Sequence, residues 1–372
     1  VVARRGAAGA DGVKARRLVV PFVLASFATC AASCGGGAER DERLQRVSSR
    51  IVKGEESPEA QDAVVLIKHY DAVQIGGGAE GCTGTMLAPR LVLTARHCVA
   101  ETEPQLACDS AGNATFGGAV KKELAASKLF AFSGRERPDF LSGLDRAARG
   151  AEILDDDAQN LCNHDLALIL LEKPLPGAKI APVRLDARAT VGEVVTLVGW
   201  GVTDTERDPP RRRQRTGVKV LAVGPDEGIG PAELRVSEGG CAGDSGGPAL
   251  SASGAVVGVL SRGGNGSGAA PGDPAGCVDA KLPAENVFTS AAAFRALILD
   301  AYAKAGQEPY VEGGPDPTQP REPADAEPTG EDAGCNVARA PASSRGGAAL
   351  PAFALGLVAA CTRRRAQRSS RR

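Results

Sequence analysis

The sequence predicts an all-β protein closed by one helix, and three observations predict it. From Ala63 to Arg262, short apolar runs recur between turn residues: Ala63–Tyr70, Leu91–His97, Ala167–Lys173, Glu193–Gly199, Val218–Val223, and a hairpin-like pair, Pro248–Ser251 and Ala255–Arg262, across Gly254. Helical spacing is clear only late, where Phe294, Leu297, Ile298, Ala301 and Tyr302 fall on one face. Aromatic residues make up only 3% of the chain against 47 glycines, so the core must come from Val, Leu, Ile and Ala. No repeat at a solenoid period is visible.

The 372 residues suffice for one large or two medium domains with tails, and a net charge of −1 gives no bulk attraction to nucleic acid. The ten cysteines lack the paired spacing of zinc sites and read as disulfides if the chain is exported. Export is what the N-terminus predicts. Basic residues from Arg4 to Arg17 precede the apolar run Leu18–Ala28 and the small residues Ala31-Ala32-Ser33, the order of a secretory signal over residues 1–34. Cys34 stands where a lipoprotein signal is acylated; ordinary cleavage nearby is the alternative. Residues 35–50 are small and charged, as in a linker or propeptide.

Gly240-Cys241-Ala242-Gly243-Asp244-Ser245-Gly246-Gly247-Pro248 sets a serine among glycines behind an acid. Such a loop can turn a nucleophile outward and aim the N–H groups of Gly243 and Ser245 at a developing oxyanion. Upstream lie Leu93-Thr94-Ala95-Arg96-His97-Cys98, with one of three histidines, and Asn163-His164-Asp165-Leu166-Ala167-Leu168-Ile169, with an aspartate beside an apolar strand. A basic residue precedes Ile51-Val52-Lys53-Gly54 at Arg50, and Gly199-Trp200-Gly201 lies between the Asp165 string and the Ser245 loop. In this combination and order, the chain resembles the trypsin-like, chymotrypsin-fold serine proteases over about residues 51–305.

The resemblance implies two six-stranded antiparallel β-barrels with the active site in the cleft between them and a C-terminal helix. It implies His97 as general base, Asp165 as its orienting acid, Ser245 as nucleophile, Gly243 and Ser245 as oxyanion donors, and no cofactor or metal. It implies a zymogen, in which cleavage after Arg50 by an activating protease of basic specificity frees the Ile51 amine to pair with Asp244. Cys82 with Cys98, and Cys241 with Cys277, match bridges of the family; Cys108 and Cys162 remain in the domain and are expected to pair. The pocket falls at Gly239, Gly240, Ser261, Arg262, Gly263 and Asn286. Gly239 stands where basic specificity needs an aspartate, so an uncharged P1 residue is expected, with Asp279 or Glu285 the alternative source of an acid. Arg262 replaces the usual tryptophan. The rival functions are a non-catalytic binding module on the same fold and a single-substrate protease using Arg262 and the long segment after His97 as exosites.

Four stretches stand apart. Asp155-Asp156-Asp157 reads as a solvated acidic turn, with calcium binding as the alternative. The run from Arg207 to Arg215 reads as an exposed basic loop open to nicking, His69 as solvent-facing, and His164 as a mere neighbour of Asp165. Residues 306–345 read as an acidic, Pro/Gly-rich stalk, and residues 346–372 as a short apolar helix ahead of an arginine cluster. That helix is short for a membrane span. With Gly334-Cys335 and Gly346-Gly347, the tail resembles bacterial C-terminal sorting signals of the myxobacterial or GlyGly type. This implies sorting machinery and membrane contact for an extracellular or cell-envelope protein acting on protein or peptide substrates.

Overall fold

The computed structural model describes residues 51–320, except 52, 71–80, 104, 140–141, 204–205, 207, 267–273, 278–280 and 282. The expected signal, propeptide, Arg50, Asp279 and sorting tail lie outside the described residues. The all-β prediction holds. Six strands, β1 (Val64–His69), β2 (Cys82–Ala88), β3 (Leu91–Thr94), β4 (Leu129–Phe132), β5 (Ala147–Leu154) and β6 (Ala167–Leu171), close into one antiparallel barrel in the order 1-2-3-6-5-4. Six more, β7 (Val194–Gly199), β8 (Arg213–Val223), β9 (Glu233–Val236), β10 (Pro248–Leu250), β11 (Val256–Gly264) and β12 (Glu285–Ser290), close a second in the equivalent order 7-8-9-12-11-10.

Each barrel is filled by small and branched residues, as the scarcity of aromatics requires. Val65, Ile67, Met86, Val92 and Ile169 fill the first; Leu197, Val218, Leu234, Val257 and Phe288 fill the second. A third cluster spans the seam, where Leu87, Leu93, Leu168, Val198 and Val259 meet the apolar face of α1 (Arg295–Ala305). The Tyr302 hydroxyl of α1 donates to the Leu87 carbonyl at 3.2 Å, tying the helix to the first barrel. Gly306 ends α1 at φ 69°, its N–H and that of Gln307 turning back to the last carbonyls.

Three expectations require correction. The basic run is not an exposed loop: β8 begins at Arg213, and Arg212 is fully buried. Its guanidinium donates to Ser57 Oγ at 2.6 Å, the Val64 carbonyl at 2.7 Å and Asp62 Oδ1 at 2.9 Å, which removes the cost of burying a lone cation. The stalk does not start at 306. The compact unit runs to Asp316, with Glu312 gripping Arg184 and accepting from Ser251 at 2.7 Å. The acidic turn is not simply solvated, since Asp155 and Asp156 face the buried guanidinium of Arg96. His69 ends β1 half-buried. Among the described residues no helix is long and apolar enough to cross a membrane.

Candidate active site

His97 sits on a single helical turn, Arg96–Cys98, that follows β3, and Asp165 lies just before β6. The two strands pair, Thr94 opposite Ala167, so the chain segments that carry His97 and Asp165 run side by side. Asp165 is fully buried and accepts twice from His97: the backbone N–H at 2.9 Å on Oδ1, and Nδ1 at 2.8 Å on Oδ2. Burial disfavours the imidazolium, but the Asp165 charge and hydrogen bond outweigh it and hold His97 above its ordinary value. Burial likewise pushes Asp165 up, and the His97 charge, the hydrogen bonds from His97 and the nearby Ser261 hydroxyl together hold it below the usual carboxylate range. Ser261 Oγ is buried without a well-formed hydrogen bond, so its influence on Asp165 is that of a neighbouring dipole.

Ser245 belongs to the loop between β9 and β10 and reaches the first barrel through Thr83, whose N–H donates to the Ser245 carbonyl at 2.8 Å. The Thr83 hydroxyl donates to the Gly243 carbonyl at 3.0 Å and accepts from the Trp200 N–H at 3.1 Å. Thr83 therefore fixes the Ser245 loop against β2, a role the sequence reading missed. Its only sequence signal is a buried-strand threonine next to Cys82. Gly243 adopts φ 91°, a conformation that favours glycine. The amides of Cys241, Asp244, Gly246 and Gly247 are all bonded within the loop or to β11. Among the described residues those of Ala242, Gly243 and Ser245 have no protein acceptor, and no hydrogen bond joins Ser245 Oγ to His97.

Asp244 is buried and accepts from the Gly201 N–H at 2.7 Å and the Cys241 N–H at 3.0 Å. Burial pushes its carboxyl up to about 7, against the pull of those two bonds and the Arg137 charge. A Cβ on Gly199 or Gly201 would fall 2.1 Å or 2.6 Å from the Asp244 carboxylate, which is why glycines flank Trp200. Ile51 is 1% exposed and lines a cavity of about 10 Å³ together with Asp244, Leu197, Gly240 and Phe288.

Asn286 is buried below Gly239 and Gly240. Its Oδ1 accepts both their amides, at 3.1 Å and 2.9 Å, and its Nδ2 donates to the Gly240 carbonyl at 3.1 Å. Gly263 lies opposite Asn286 in the β11–β12 ladder. Arg262 is not presented as an exosite: it forks onto the fully buried Glu233 at 2.6 Å and 2.9 Å, and Glu233 also takes the amides of Asn163 and Gly230. Glu285 is half-exposed and faces Arg235 at 3.4 Å, away from Asn286's bonds. One acid next to Gly239 escaped the sequence reading. Glu238 is nearly buried, with Lys53 at 2.7 Å and Arg215 at 3.3 Å on one oxygen. Disulfides join Cys82 to Cys98, Cys108 to Cys162, and Cys241 to Cys277. The one compact His/Cys group among the described residues, Cys82, His97 and Cys98, has both sulfurs in a disulfide and offers no thiolates to a metal.

The family model for trypsin matches residues 51–279, most of the chain. The chain belongs to the trypsin family of serine proteases. It is 29% identical over 237 residues to the snake venom serine protease Haly-2 of Gloydius brevicauda, covering 59% of this chain and 79% of the relative. It is 29% identical over 225 residues to serine protease SP24D of Anopheles gambiae, covering 58% and 72%. With trypsin 5G1 of Aedes aegypti it shares 27% over 269 residues, covering 66% and 88%. Among solved structures it is similar to neuropsin, a serine protease expressed in the limbic system of mouse brain, with a TM-score of 0.46 and 20% identity over 67% of this chain and 98% of that one.

Proposed function

We propose that the protein is an exported serine endopeptidase made as a zymogen. The observation that carries this reading is the pairing of a buried Asp165 with His97 beside a loop whose Gly243 and Ser245 amides are free. His97 takes the proton of Ser245 as its oxygen attacks the peptide carbonyl. The charge on that carbonyl oxygen is met by the two amides, and Asp165 stabilises the imidazolium. His97 then protonates the leaving amine, and water hydrolyses the acyl-enzyme. Catalytic hydrogen bonds of the Ser245–His97 kind tighten when substrate is bound. Cleavage at Arg50–Ile51 supplies an ammonium for Asp244, which has two amide donors, feels Arg137 only through its charge, and has no ion-pair partner among the described residues.

For the pocket, the reading is an uncharged P1 residue. The amide of Asn286 is committed to the backbone of Gly239 and Gly240, and the nearby acid Glu238 already holds Lys53 and Arg215. A basic P1 side chain would be desolvated there without a free partner. It follows that another protease, of basic specificity, cuts at Arg50. Export, surface attachment through residues 346–372 and processing by sorting machinery complete the proposal. A P1 peptide library presented to the chain cleaved at Arg50 tests it: hydrolysis after small to medium uncharged residues, lost in Ser245→Ala, is expected. Strong Arg/Lys selectivity would overturn the pocket reading, and no hydrolysis of any peptide or protein would favour a binding module.

A further inference from the structure

Arg96 immediately precedes His97 and is 3% exposed. Its guanidinium lies 2.8 Å from Glu123 Oε1, 3.0 Å from Asp155 Oδ1 and 3.4 Å from Asp156 Oδ1. The other oxygen of Asp156 takes His164 Nδ1 at 2.5 Å, and His164 immediately precedes Asp165. One carboxylate thus bridges the residue before His97 and the residue before Asp165. The His164 ring also stands edge-on to Phe294, with centroids 6.4 Å apart, at the foot of α1.

We propose that Arg96, Asp156 and His164 form a clamp of positioning residues that fixes the geometry of the His97–Asp165 pair, with the Arg96 guanidinium as the resident cation of the Asp155–Asp157 cluster. A buried guanidinium must keep its acidic partners, so Arg96 pins the turn that carries His97. The Nδ1–H of His164, held by Asp156, pins the segment that carries Asp165. The inner bond, 2.8 Å from His97 Nδ1 to Asp165 Oδ2, therefore has an outer brace two chain segments wide. Neither Arg96 nor His164 touches the reacting atoms; both act through their neighbours in sequence. Because a misplacement of about 1 Å in a catalytic group can cost about a hundredfold in rate, loosening this brace is expected to cost about tenfold.

The kinetic arm of the test rests on the function proposed above, and the spectroscopic arm does not. On the full-length, uncleaved chain, the low-field proton resonance of His97 Nδ1–H reports the inner bond directly. Asp156→Ala is expected to shift that signal upfield and Asp156→Glu to restore it; an unchanged signal in Asp156→Ala overturns the proposal. On the chain cleaved at Arg50, Asp156→Ala is expected to lower kcat per titrated active site about tenfold while KM moves less than about twofold. An unchanged kcat per titrated site, with only fewer titratable sites, would mean a structural role and would also overturn it. Should Asp156→Ala fail to fold, His164→Ala decides, since that side chain is 41% exposed: an upfield shift of the same resonance supports the clamp, and no shift refutes it. The spectroscopic shift in Asp156→Ala, together with no turnover by the cleaved wild-type chain, would leave the clamp standing and remove the protease assignment.

Discussion

Asp244 makes the uncleaved chain sensitive to pH in a way that cleavage should reverse. Its folded carboxyl titrates near 7, pushed there by burial, against about 3.9 in an unfolded chain. The folded state therefore binds this proton more tightly than the unfolded state does. The stabilisation is complete below the unfolded value and is lost as pH rises through about 7. From pH 5 to pH 8 the loss amounts to about 2.5 kcal/mol, a sizeable part of a domain's net stability. Urea unfolding of the uncleaved Ser245→Ala chain at the two pH values measures it, with Asp244→Asn in the same background subtracting every other titrating group. In the proposed zymogen, cleavage at Arg50 would give the carboxylate the Ile51 ammonium as a partner, and the loss between pH 5 and pH 8 should vanish. An uncleaved chain with the same pH slope as Asp244→Asn would show that Asp244 does not carry this dependence, and a slope unaffected by cleavage would show that it gains no ammonium partner.

Further outcomes follow from other groups. Glu312 is held at about 2, chiefly by its hydrogen bond from Arg184, so its stabilisation is present above about 4.5 and fades as pH falls toward 2. Allowing for screening at its open edge, Glu312→Gln should cost about 1 kcal/mol at pH 7 by urea unfolding and almost nothing at pH 2. In the cleaved chain the acid limb of kcat/KM should lie above about 6.5, because Asp165 holds the imidazole up. Asp165→Asn should move that limb down, since burial alone then acts on His97, and reduce kcat about ten-thousand-fold. Replacing both Cys108 and Cys162 by serine opens a bridge spanning 54 residues and should cost about 2–4 kcal/mol, read as a lower urea midpoint with a steeper slope, because the unfolded chain expands without the bridge.

What the sequence made legible was whatever is local. The runs around Val65, Val92 and Ile169 announce strands because apolar residues stand close together between turn residues. His97, Asp165 and Ser245 announce themselves because each sits in its own short string. What stayed hidden depends on partners far along the chain. Arg212 reads as part of a solvated basic loop until Ser57, 155 residues away, is seen to accept its Nε–H. Glu312 reads as part of a stalk until Arg184, 128 residues away, is seen to hold it. Thr83, Glu233 and Glu238 carry no motif, and their roles come only from packing across the barrels. The shared strand order of the two barrels is likewise invisible, because shape is repeated there without any repeat of sequence.

In the proposed function, cleavage turns Ser245 into an activated nucleophile served by His97. Covalent labelling by a fluorophosphonate, mapped to its residue by peptide mass analysis, tests it most directly. Stoichiometric labelling of Ser245 is expected in the chain cleaved at Arg50, with far slower labelling in the uncleaved chain and none in Ser245→Ala. A correctly cleaved and folded wild-type chain that takes no label, or takes it at another residue, would contradict it.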